Sequence, residues 1–374
     1  MKKLLLLFII PFLSFGQTPI TDENIHEALE LWFDEAIIAE SIYGSINDWN
    51  VSNVTNMSYL FANNYDFNDD IGNWDVSNVT NMEGLFQNSY FNQDIGNWDV
   101  SNVTNMKSMF ENTTFNQDIG NWDVGSVNTM ERMFYAFNQN WVIGENMNPF
   151  NQNIEGWDVG NVVNMSYMFF NSMFNQNISL WDVGNITQMQ GMFEFSNFNQ
   201  DIGEWNVSNV TLMWGMFQNT PFNQDIGDWD VSNVTNMSGM FQNTPFNQDI
   251  SNWDISNIIG NGLYGFLNLC PFSTANYDAL LINWSQLELQ DNVNFSAGNT
   301  MYCEGLNART SIIIEYNWTI NDGGYNCGGV NINEESIYKN LIATVDILGR
   351  ETTNKGFQLH IYDDGTVEKK YLIK

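Results

Sequence analysis

A tryptophan that returns at a fixed step constrains this chain more than any other feature. Trp49, Trp74, Trp98, Trp122, Trp157, Trp181, Trp205, Trp229 and Trp253 stand 25, 24, 24, 35, 24, 24, 24 and 24 residues apart. Phe67, Phe91, Phe115, Phe150, Phe174, Phe198, Phe222 and Phe246 keep the same register. Such a period marks an array of small units, none of which closes a core alone and each of which stacks on its neighbours. The long gap, 35 against 24, falls in "AFNQNWVIGENMNP", Ala136 to Pro149, which an array accepts as a loop at the corner of one coil. The 374 residues are too many for one compact core, and their even composition argues against unrelated globular domains.

One unit shows the chemistry. In "FNQDIGDWDVSNVTNMSGMFQNTP", Phe222 to Pro245, the recurring apolar positions are Phe222, Ile226, Trp229, Val231, Val234, Met237, Met240 and Phe241. Between them stand mostly Asn, Asp, Gln, Ser, Gly and Thr. Neither a helical nor a strand period runs through the whole unit. The reading is short strands joined by tight turns: "FNQDI" and "NVTNM" as strands, Gly227, Ser232 and Asn233 as turn residues, and "SGMFQNT" as one helical turn capped by Ser238. Stacked at about the 4.8 Å spacing of paired strands, Trp74, Trp98, Trp122, Trp157, Trp181, Trp205, Trp229 and Trp253 would form a core ladder. Each indole buries about 150–250 Å², which at about 25 cal/mol per Å² is several kcal/mol per coil. The alternative is an exposed ladder stacking on sugar rings; the lock-step of Trp with Ile and Val positions favours the core. The expected fold class is a β-rich repeat solenoid of about nine coils of about 24 residues, spanning 46–262.

Polar residues form columns too. Asn68, Asn92, Asn116, Asn151, Asn175, Asn199, Asn223 and Asn247 read as a structural column of side-chain amides. Asp70, Asp94 and Asp118 form another, interrupted by Asn153 and Asn177 and resumed by Asp201, Asp225 and Asp249. Carboxylates beside Asn carbonyls are what calcium prefers, so Asp94, Asp118, Asp201, Asp225 and Asp249 are the candidate metal ligands, although no Asp-x-Asp-x-Asp-Gly loop is present. No other cofactor is indicated. The Thr column from Thr55 to Thr235 breaks at Asn128 and Val163, which argues against a regular ice-matching face.

The chain begins "MKKLLLLFIIPFLSFGQ": two lysines, an apolar run, then Ser14 and Gly16, the layout of a secretory signal peptide over residues 1–16. Nothing downstream offers about 18 consecutive apolar residues, so no membrane span is expected. The formal net charge is −33, and Lys107 and Arg132 are the basic residues of the array. Such a surface disfavours nucleic acid and anionic lipid, both of which require Lys or Arg against phosphate. Cys270, Cys303 and Cys327 all lie beyond the array. In an exported protein, Cys303 with Cys327 would close a loop of about 25 residues, worth roughly 3 to 4 kcal/mol by chain entropy, leaving Cys270 as a buried thiol.

The phrase "FNQDIGNWDVSNVTNMxxMF", which recurs over about Ile46 to Gly262, resembles the repeat of the BspA-like leucine-rich-repeat surface proteins, in their subgroup with a unit of about 25 residues. The resemblance implies right-handed, leucine-rich-repeat-like coils, a surface or secreted location and a role in adhesion or ligand binding; it brings no catalytic residues. Residues 17–45 resemble the segment preceding such repeats, with Thr21 as expected N-cap and Asn24 to Phe33 as an amphipathic helix covering the first coil. Residues 263–329 resemble the closing α+β cap, with helices expected at Asn276 to Trp284 and Ala308 to Tyr316, and its late cysteine pair supports Cys303 with Cys327. Residues 330–374 hold six of the eleven basic residues and read as a small β unit with a hairpin turn at Asp364-Gly365. "VDILGRE" and "YDDGTVEKKYLIK" make this tail similar to the type A C-terminal sorting domain of the Bacteroidetes type IX secretion system. That implies the secretion machinery as a partner, and an outer-membrane-surface or extracellular location.

Enzymatic chemistry is disfavoured. The two histidines, His26 and His360, stand at opposite ends, so no His triad or His metal cluster assembles in the array. No glycine-rich phosphate loop follows a strand. Carboxylate pairs abound, but catalysis needs two carboxylates in different environments, whereas these have translational copies in similar ones. The sequence reading is therefore a non-enzymatic exported scaffold whose repeated Asn, Asp, Thr and Ser columns bind a polysaccharide, matrix protein or host protein multivalently. The alternative is a structural spacer or surface-layer component without a specific ligand.

Overall fold

The computed structural model describes residues 18–137, 143–144, 146–327, 341–345, 356–362 and 367–372. The expected export signal, part of the insertion (138–142 and 145) and parts of the tail lie outside the described residues. The chain divides into two units, Met1–Asn326 and Cys327–Lys374.

In the first unit the repeats lie side by side around one apolar interior. Trp74, Trp98, Trp122, Trp157, Trp181, Trp205, Trp229 and Trp253 are all buried, none more than 4% exposed. Each indole also places its polar edge: Nε1–H donates to the carbonyl of an isoleucine in the preceding repeat, as from Trp98 to Ile71 at 3.2 Å, Trp181 to Ile154 at 3.1 Å and Trp253 to Ile226 at 3.1 Å. The ladder indoles thus leave no orphan donor. Two rows of phenylalanines fill the space beside it. Within a repeat, rings such as Phe86 and Phe91 stack at 3.9 Å, and between repeats Phe86 meets Phe110 at 5.7 Å and Phe91 meets Phe115 at 6.2 Å.

The backbone differs from the expected strands. "FNQDI" and "NVTNM" form no strand; one isolated parallel bridge per repeat runs through Asn56, Asn81, Asn105, Thr129, Asn164, Gln188, Leu212 and Asn236. Side chains replace the ladder at the Phe-Asn corner. The Asn68 Oδ1 accepts the Asn92 N–H at 2.8 Å, Asn92 serves Asn116 at 2.9 Å, and the column runs on to Asn247, which serves Ser273 at 2.8 Å. An amide side chain that takes the neighbour's N–H removes the need for backbone pairing.

"SGMFQNT" is not a helical turn either. The Asn236 carboxamide accepts the Ser238 N–H at 2.9 Å, and Gly239 and Asn243 sit in the left-handed region, at φ 65° and 57°. Alternate N–H groups then point to the following repeat: Met213 to Asn236, Gly215 to Ser238, Phe217 to Met240 and Asn219 to Gln242, at 2.8–3.1 Å. The intervening Met216 and Gln218 donate back within their own repeat. The left-handed positions, filled by Gly or Asn in most copies, are what this ribbon demands of the sequence.

Helix α1, Ile25–Tyr43, caps the beginning. It is longer than expected, kinks at Glu35, and starts after Asn24, whose Oδ1 accepts the Thr21 N–H at 2.8 Å; Thr21 is not the cap residue. Ile25, Ala28 and Leu29 are buried, and Trp32 meets Trp49 edge-on at 5.9 Å. Asp22 completes the first repeat's edge by accepting the N–H of Thr55 and of Asn56, at 2.8 and 3.0 Å, and the Thr55 hydroxyl.

The other end is closed by α2, Thr274–Trp284, β1, Asn294–Ser296, α3, Leu306–Tyr316, and β2, Thr319–Asn321. Ser273 caps α2 by accepting the Asn276 N–H, and Asn317 ends α3 in the left-handed region. β1 pairs in parallel with β2, and Phe295 bridges to Leu263, so the cap continues the interior through Phe266, Trp284 and Phe295. Cys303 and Cys327 are disulfide-bonded. Cys270 is free and buried, its Sγ donating to the Phe246 carbonyl at 3.0 Å.

The second unit contains a three-stranded antiparallel sheet in the order β3, Leu341–Val345, β4, Gly356–Tyr362, and β5, Val367–Leu372. Ile361 pairs with Val367; the turn expected at Asp364-Gly365 lies outside the described residues.

Candidate functional site

The Asp columns occupy turns. Asp94, Asp118, Asp201 and Asp225 each accept, through Oδ1, the N–H of the glycine two residues on, at 2.9–3.0 Å, and Asp249 accepts that of Ser251 at 2.9 Å. The glycine is required by a close approach: a Cβ on Gly96 would stand 2.6 Å from the Asp118 carbonyl oxygen. The "WDVS" carboxylates do similar work. Hydrogen bonds from the Ser101 hydroxyl and N–H hold Asp99 below the usual carboxylate range, and Ser232 does the same for Asp230. Among the described residues, no three or more His, Cys, Asp or Glu side chains converge to hold a metal ion.

A different site arises where the repeats stop being copies. The position held by Gly84, Gly191, Gly215 and Gly239, all left-handed, is occupied by Arg132 at φ 57° and Tyr167 at φ 58°. Bulky residues are uncommon there and cost conformational energy. Three residues on, where other copies carry Gln218 and Gln242, stand Tyr135, Phe170 and Glu194. One further departure, Trp214, stands where Ser238 is found in a regular copy. Stacking brings these positions from four successive repeats together around a cavity of about 290 Å³ lined by Arg132, Tyr135, Tyr167, Phe170, Glu194 and Trp214.

Its walls are aromatic and meet at steep angles. Tyr167 stands edge-on to Trp214 at 5.5 Å and 74°, and to Phe170 at 6.0 Å and 69°, while Tyr135 and Phe170 stack at 4.7 Å. Gly191 makes room for this, because a Cβ there would lie 2.5 Å from the Tyr167 ring. The Arg132 guanidinium lies 4.0 Å over the Tyr135 ring and pairs with Glu111 at 2.9 Å. Glu194 is only 6% exposed, and its carboxylate has no hydrogen-bond or ion-pair partner among the described residues. Burial pushes its carboxyl up to about 8. Burial, then the Glu194 charge, pushes the Tyr167 hydroxyl up to about 12.

Sequence reasoning passed over this site because its residues are scattered as one or two departures per copy over four successive copies. The signal is vertical, and it is visible only when copies are compared column by column.

The family described as Mycoplasma protein of unknown function, DUF285, matches residues 28–144, 142–220 and 170–266. The chain belongs to this BspA-like repeat family. No curated protein and no solved structure matches it.

Proposed function

We propose that this is a non-enzymatic, exported repeat protein that acts as a multivalent binding and adhesion scaffold, with its repeats wound as a right-handed, leucine-rich-repeat-like solenoid. The observation that carries the reading is the constancy of pose along the exposed columns. Thr80, Thr104, Thr187, Thr211 and Thr235 each donate a hydroxyl to the carbonyl one repeat back, at 3.1–3.2 Å. Asn102, Asn185, Asn209 and Asn233 repeat an equivalent bond at 2.7–2.8 Å. A polymeric partner therefore meets the same small group at equal steps, and weak contacts add through effective concentration. Polysaccharide, extracellular matrix protein and host protein fit that description.

The amino-terminal signal layout and the tail similar to a type IX secretion sorting domain support export through that machinery, to the outer-membrane surface or the medium. Mass spectrometry of the native protein from cells and medium tests this part: both termini trimmed and an extracellular location are expected, and an untrimmed cytoplasmic product defeats it.

One observation favours the structural reading, a spacer without a specific ligand: many column side chains are already committed to hydrogen bonds within the array. A glycan and matrix-protein array separates the two. A scaffold gives a salt-sensitive hit that weakens when repeats are removed; a spacer leaves the array blank.

A further inference from the structure

The break in the array carries a site of another kind. The Glu194 side chain lines the aromatic cavity, its carboxylate without a hydrogen-bond or ion-pair partner among the described residues, and beside it Gly191 and Gly215 leave no side chain to supply one: a Cβ on either would come within 3.3 Å of its Oε2. Three aromatic walls at angles near 70° form a corner rather than a flat platform. A sugar ring stacks on one broad face, whereas a compact cation is drawn to several ring faces at once. The pocket already shows the affinity of its rings for such charge, because the Arg132 guanidinium sits over Tyr135. Glu111 neutralises that guanidinium, so it does not compete for Glu194. The volume, about 290 Å³, is at the lower edge of ligand pockets and suits one side chain or headgroup. A chain with a formal charge of −33 also raises the local concentration of cations.

We propose that this pocket binds an alkylammonium group, with Tyr135, Tyr167, Phe170 and Trp214 as its walls and Glu194 as its counter-ion. The site goes beyond the repeated polar columns: it is single, and it reads charge rather than a polymer's spacing.

The test uses the full chain and a matched pair of probes, choline and its neutral isostere 3,3-dimethylbutan-1-ol, by isothermal titration calorimetry at pH 9. Choline is expected to bind one to one, about tenfold or more tighter than the isostere. Glu194→Gln is expected to remove that preference, and Trp214→Ala to weaken choline by a similar factor. Equal affinity for the two probes, or no choline binding at millimolar concentration, overturns the proposal with the unaltered protein and so without any question of folding. Tighter binding of neutral monosaccharides than of choline overturns it in favour of a sugar pocket. Because the probe is monovalent, a blank glycan array leaves this site standing, and a polymer ligand indifferent to Glu194→Gln leaves the column reading standing.

Discussion

At the scale of the residue, the array is governed by which positions tolerate a Cβ. Gly96 has ordinary φ, yet a Cβ there would stand 2.6 Å from the Asp118 carbonyl oxygen, a backbone atom that cannot yield, whereas a Cβ on Gly156 would meet nothing within 4 Å. Gly96→Ala is therefore expected to destabilise by about 2 kcal/mol or more, and Gly156→Ala to be neutral or to stabilise by about 0.5 kcal/mol through the unfolded chain. Urea midpoints of the two variants check this; equal effects would show that the turn columns are not tightly abutted. Glu194 supplies a pH prediction at the same scale. Its folded carboxyl is pushed up to about 8 from 4.5, so between those values the unfolded chain has lost a proton that the folded chain keeps. Stability contributed here is present at low pH and falls as pH rises towards 8. The charged or titratable groups that line the cavity with it are Arg132, Tyr135 and Tyr167, and the Glu194 charge acts on both tyrosines. Glu194→Gln is expected to be close to the parent at pH 5 and more stable by a few kcal/mol at pH 9. Asp99 and Asp230, held low by serine hydrogen bonds, act in the opposite sense and in a separate window, losing their contribution as pH falls below about 4.

At the scale of the element, the ends matter more than the middle, because an interior repeat has a copy of itself on either side and an end has not. Asp22 stands in for the missing neighbour of Thr55 and Asn56. Burial tends to raise its carboxyl, but those hydrogen bonds, the Thr55 hydroxyl foremost, outweigh it and hold the pKa down. Asp22→Ala is expected to increase amide exchange at Thr55 and Asn56 at least tenfold, with exchange in the central repeats unchanged. At the far end the Cys303–Cys327 link ties the segment after β2 back to the start of α3. Its reduction is expected to lower the stability of the cap by roughly 3 kcal/mol, seen as an earlier first phase in the melt. A single unchanged transition after reduction would show that the cap is held by Phe295, Trp284 and Trp318 alone.

At the scale of the whole molecule, a stack of near-identical repeats tolerates the loss of one full unit but not of half a unit. Deleting Phe222–Pro245, one 24-residue period, joins Pro221 to Phe246 and keeps every column in register. That variant is expected to fold with a modestly lower melting temperature; deleting only residues 222–233 is expected to leave the chain largely unfolded, since Phe241 would fall on the tryptophan position, Trp253 on the phenylalanine position, and Met237 and Met240 on polar positions. Circular dichroism and a thermal melt of the two deletions distinguish these outcomes, and equal damage from both would count against independent, interchangeable repeats.

The amino-acid sequence by itself determined the period and the residues that enter the interior. Both follow from local pattern: large apolar side chains locked at fixed intervals in a polar background have one shared destination. It also carried the cysteine pairing, through spacing and resemblance. It misled on the backbone, because "FNQDI" has strand-like alternation, and only the neighbouring repeat reveals that an Asn side chain takes the N–H a strand would have paired. The tertiary structure alone decided the ribbon with its left-handed residues and the aromatic cavity. Arg132, Tyr135, Tyr167, Phe170, Glu194 and Trp214 are distant along the chain and come together only because stacking converts a separation of about one period into direct contact.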